Sequence, residues 1–69
     1  MEDKQRICEL LLPVLQATRN LHDLNSLEYI RQGYSETVKA TFSNGSVKLA
    51  NVSADSGTSM IRDIIGQIV

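Results

Sequence analysis

Apolar residues near the start of the chain recur every three or four places. Ile7, Leu10, Leu11, Val14, Leu15 and Thr18 share one face of a helix, with Glu2, Gln5, Glu9 and Gln16 on the other side. The spacing predicts an amphipathic helix over residues 3–19. Glu2 and Asp3 suit its positive N-terminus. Pro13 falls inside this helix. A proline there removes a backbone hydrogen bond and clashes one turn back, at about 3 kcal/mol. Helical rotation puts Pro13 on the polar face, where a kink would curve the helix around its core. The alternative is a break, with Pro13 opening a second short helix.

Residues 19–26, Arg-Asn-Leu-His-Asp-Leu-Asn-Ser, are rich in turn formers and read as a connection, with Leu21 and Leu24 pinning it to the core. A strand is expected at residues 27–32, Leu-Glu-Tyr-Ile-Arg-Gln, closed by Gly33; a short helical stretch over residues 23–31 also fits. Alternation is clearest at residues 37–42 and weaker at residues 47–52. Asn44-Gly45 between them is a strong hairpin signal, because both residues tolerate positive φ. A two-residue loop there pairs Phe42 with Val47, Ala40 with Leu49 and Val38 with Asn51 on the inner face. It pairs Thr41 with Lys48, Lys39 with Ala50 and Thr37 with Val52 on the outer face.

Met60, Ile61, Ile64, Ile65 and Ile68 make a second helical stripe, with Arg62, Asp63 and Gly66 opposite and Asp55 or Ser56 as the N-cap. Isoleucines and an internal glycine give this helix low intrinsic propensity, so packing must hold it. Two helices and a sheet, each with one apolar face, are satisfied by two layers. The expected fold is therefore α+β: a two-layer α-β-β-β-α arrangement, an antiparallel three-stranded meander with both helices on one face.

Size and charge narrow the picture. A chain of 69 residues is one domain near the lower limit for an unaided core, so dimerisation would be a natural source of stability. The net charge of −1 supplies no broad positive field for nucleic acid or an anionic membrane. One cysteine, Cys8, excludes an internal disulfide and a cysteine-rich zinc site, and a free thiol fits a reducing cytoplasm. The acidic start Met1-Glu2-Asp3 is not followed by a cleavable signal pattern. The run Leu10–Leu15 is far shorter than the roughly 20 residues that span a bilayer.

Candidate chemistry is sparse. His22 beside Asp23 has no nucleophile placed near it by sequence. Cys8, at the edge of the first stripe, reads as a buried, inert thiol. Residues 53–59, Ser-Ala-Asp-Ser-Gly-Thr-Ser, open a helix but lack the lysine and glycine spacing of a phosphate loop, so capping explains them. No catalytic residue, metal site or cofactor is expected. The remaining candidate is a partner-binding sheet face of Arg31, Lys39, Thr41, Lys48, Ala50 and Val52, part cationic and part apolar.

The order of elements resembles the double-stranded RNA-binding domain over the whole chain. The resemblance implies that fold. That family reads RNA with a lysine cluster opening its last helix, whereas residues 55–62 here, Asp-Ser-Gly-Thr-Ser-Met-Ile-Arg, contain none. The loop at residues 32–35, Gln-Gly-Tyr-Ser, also lacks that family's basic and histidine contacts. No functional residue carries over. The chain also has the look of short single-domain proteins common in bacterial genomes and mobile elements. The expected role is a small, non-catalytic protein-interaction module, its partner another protein or a second copy. The alternative is a weak nucleic-acid binder using Arg31, Lys39 and Lys48.

Overall fold

The computed structural model describes residues 3–53 and 56–68. Helix α1 (Lys4–Gln16) is followed by a 3₁₀ turn (Arg19–Leu21), strands β1 (Leu24–Gln32), β2 (Ser35–Phe42) and β3 (Val47–Asn51), and helix α2 (Gly57–Ile68). The strands form an antiparallel sheet in the order β1-β2-β3. α1 packs on β1 and α2 on β3, and the helices touch each other only lightly. The α-β-β-β-α order and the two layers are as the periodicity implies.

α1 is continuous through Pro13, which sits exposed. Asp3 caps it, its Oδ1 accepting from the Arg6 amide at 3.0 Å. It ends earlier than residue 19, because the Thr18 amide and hydroxyl both donate to the Leu15 carbonyl and close the last turn. The buried stripe is also rotated from the expected one. Cys8 and Leu15 are buried and Ile7, Leu11 and Leu12 partly so, while Leu10 and Val14 are exposed. Cys8 is thus central to the interface rather than at its edge.

β1 is a strand, and it starts at Leu24, not residue 27. The register shifts between Leu24 and Ser26, so Asn25 is accommodated in a bulge and both Leu24 and Leu27 turn inward. Gly33, at φ 62°, provides the positive φ that a tight two-residue hairpin needs at its first loop position.

The β2–β3 hairpin corrects the expected register by one residue. The loop has three residues, Ser43-Asn44-Gly45: the Phe42 amide donates to the Ser46 carbonyl at 2.9 Å and the Gly45 amide to the Phe42 carbonyl at 2.9 Å. Asn44 Oδ1 accepts from the Ser46 amide, and Gly45 takes φ 90°. Val38 therefore pairs with Ala50, Ala40 with Lys48 and Thr41 with Val47. A slip of one residue exchanges the two faces of a strand. Ala50 and Val52 enter the core at 0% exposure, and Val47 and Leu49 face out at 48% and 61%. This arrangement suits α2, whose Met60, Ile64 and Ile68 are fully buried and bring bulk against the small Ala40 and Ala50. Ser56 caps α2, its Oγ accepting from the Ser59 amide. Glu2 and Asp55, the other expected terminal acids, lie outside the described residues.

Candidate functional site

The six residues of the expected partner-binding face do not share a face. Lys39 and Thr41 lie on the open side of the sheet. Ala50 and Val52 are buried under α2. Lys48 has the same parity as these two, and its Nζ donates to the Ile68 carbonyl at 3.2 Å while lying 5.7 Å from the Phe42 ring centroid. Arg31 is opposite Glu36 on the helix side and donates to the Gly33 carbonyl. The cations invoked for nucleic acid are therefore divided between the two sides. On the open side Lys39 stands opposite Glu28 in the β1–β2 register. What remains there is apolar: Ile30, Val47 and Leu49 among threonines and serines.

Both sheet edges are partly closed by glutamines. Gln5 Oε1 accepts from the Tyr29 amide and Gln16 Nε2 donates to the Leu24 carbonyl, both from α1 onto β1. Gln67 of α2 holds both backbone groups of Asn51, at 3.0 and 3.2 Å. An edge strand with open backbone groups invites pairing with another chain, and these amides restrict it.

A half-buried polar cluster joins α1 to the sheet. Lys4 Nζ meets Glu36 Oε1 at 2.7 Å, and the Tyr29 hydroxyl donates a short hydrogen bond to the same oxygen. The hydrogen bond to Glu36 pushes the Tyr29 phenol above its ordinary value, since ionisation would forfeit it, and burial acts in the same direction. Glu36 also donates its amide to Ser53 Oγ. A carboxylate held by both Lys4 and Tyr29 is a clasp rather than a base. Burial, with a smaller contribution from Glu9, pushes the Cys8 thiol up to about 11, so it is neutral and unreactive at neutral pH. His22 is exposed, and its Nδ1 lies 2.9 Å from the Arg19 carbonyl. Among the described residues no cluster of three or more histidine, cysteine or acidic side chains could hold a metal, and no helix is long and apolar enough to cross a membrane.

A concentration of exposed apolar surface lies elsewhere, along the seam between the helices. Ile7, Leu10, Leu11 and Val14 of α1 and Ile61 of α2 line a groove of about 280 Å³. Leu10 is 57% and Val14 60% exposed, and Ile65, one turn beyond Ile61, is 45% exposed. A second hollow, of about 290 Å³, lies between the 3₁₀ turn and the β2–β3 loop, but it is mixed in character and Lys48 spends its donor inside it. The helix groove was foreshadowed by the α1 stripe, which carries more apolar residues than one buried face can use. Reading the whole stripe as core hid it.

Comparison with models of protein families, with curated proteins and with solved structures finds no match to this chain.

Proposed function

We propose that this protein is a small, non-catalytic protein-interaction module. The observation that carries this reading is the exposed apolar groove between α1 and α2. Leu10 and Val14 keep more than half their surface in water although the core beneath is complete. Single exposed apolar residues are ordinary on a protein surface, but a contiguous stripe lining a concavity favours a partner. The titratable groups fit a structural role: Lys4, Tyr29 and Glu36 clasp one another and Cys8 is buried. Site-specific photo-crosslinking in the source cell tests the reading, with the reactive group at Val14, at Leu49 or at the polar tip residue Asn44. A discrete protein adduct at Val14 or Leu49 and not at Asn44 supports an interaction surface. Equal, diffuse labelling at all three positions overturns it.

A further inference from the structure

The groove has a charge pattern as well as an apolar floor. Arg6 lies four residues before the groove residue Leu10, and Arg62 three residues before Ile65, the exposed residue one turn beyond groove-lining Ile61. Both arginines are exposed. Neither makes an ion pair among the described residues, where the salt bridge is Lys4–Glu36. The other acids of the two helices are turned away. Glu9 follows Gln5 by four residues, and Asp63 precedes Gln67 by four. Those glutamines reach the β1 and β3 edges, so the acids lie on the flanks away from the groove. Asp3 sits at one end, with a carboxylate oxygen committed to the Arg6 amide.

We infer that this groove receives an amphipathic helix of a partner protein, one with an apolar i, i+3/i+4, i+7 stripe flanked by acidic residues. This rests on the interaction-module reading and names its partner. A concave seam between two helices accepts a ridge of side chains, which is how grooves bind amphipathic helices. The floor takes the apolar stripe, and Arg6 and Arg62 on the two rims select acidic flanks. A second copy of this chain is disfavoured by the same charges. A two-fold pairing groove to groove sets four arginines around one apolar seam, and like charges brought together at an interface oppose association.

The experiment uses the full chain, isotopically labelled, and a synthetic 18-residue helical peptide with a leucine stripe and glutamate flanks. Controls are the same peptide with lysine flanks and vesicles of anionic phospholipid. The acidic peptide is expected to shift amide resonances along residues 6–14 and 61–65 and to bind at least tenfold more tightly than the lysine peptide. The double variant Arg6→Glu, Arg62→Glu is expected to abolish that preference. Val14→Asp is expected to remove binding while the sheet resonances stay in place, because Val14 lies outside the core. Equal binding of both peptides, shifts confined to the sheet, preference for vesicles, or concentration-dependent self-association through the groove each overturns the inference. A peptide that fails while Leu49 still captures a partner leaves the module reading standing and removes only the groove as its site.

Discussion

One loop residue sets which side of β3 faces the core. The Asn44 side chain accepts from the amide two residues on, making a local turn of its own. It braces a loop one residue longer than the two-residue turn, and with that extra residue every residue of the strand changes face. Gly45 has open space around its α-carbon, so a side chain there meets only the backbone penalty of φ 90°. Gly45→Val is expected to cost about 1–2 kcal/mol, read by chemical denaturation. The register has a sharper test. Ala50→Leu forces bulk under α2 and should cost about 1–3 kcal/mol, whereas Leu49→Lys should stay within about 0.5 kcal/mol. The two-residue loop predicts the reverse order, so the denaturation midpoints of the pair decide between the registers. Cys8 shows the same dependence on its surroundings. Its thiol should resist a disulfide reagent at neutral pH until the chain is unfolded. Its pKa is raised in the folded state, so its contribution to stability is complete below about pH 9 and is lost as pH rises towards 11.

At the level of elements, each helix both covers the sheet and closes an edge. Gln67→Ala uncaps both backbone groups of Asn51 and should cost about 1 kcal/mol, with faster hydrogen exchange at the Asn51 amide as the direct readout. The Lys4–Glu36–Tyr29 clasp makes a spectroscopic prediction. In a Tyr34→Phe background the phenolate absorbance reports Tyr29 alone, and Glu36→Gln should lower its titration midpoint by removing the charged acceptor. The order of elements was legible in the sequence because periodicity alone distinguishes helix from strand. The hairpin was legible too, since Asn44-Gly45 fixes where the chain turns. Its loop length was not, because Asn-Gly serves both two- and three-residue loops and the choice rests on what α2 packs against. The start of β1 was hidden by the Asn25 bulge, which breaks strict alternation. The α1 stripe was recognised but not its rotation, since six residues spaced for one face gave no sign that Leu10 and Val14 belong to a second surface. Of the expected sheet site, only Lys39 and Thr41 remain on the open side, and the shift follows from the hairpin register and the strand pairing.

For the molecule as a whole, 69 residues leave little stability in reserve, about 3–10 kcal/mol by the usual per-residue range. The helices meet each other lightly and rest separately on β1 and β3, so the shared core beneath them couples the two halves. Ile64 lies at its centre, fully buried, while Ile65 beside it is 45% exposed, one turn beyond groove-lining Ile61. Removing the Ile64 side chain leaves a cavity and should cost about 2–5 kcal/mol. For a domain of this size each kcal/mol lowers the melting temperature by about 4–8 °C, so Ile64→Ala should melt far below the parent chain. Ile65→Ala should change stability by less than about 1 kcal/mol, yet weaken the acidic helical peptide, because its side chain belongs to the partner's side of the helix. Thermal melts and peptide titrations of this adjacent pair separate what folds the chain from what it presents. If Ile65→Ala destabilises the fold as much as Ile64→Ala, α2 is rotated from the orientation described, and Ile61 no longer stands as the α2 wall of the groove.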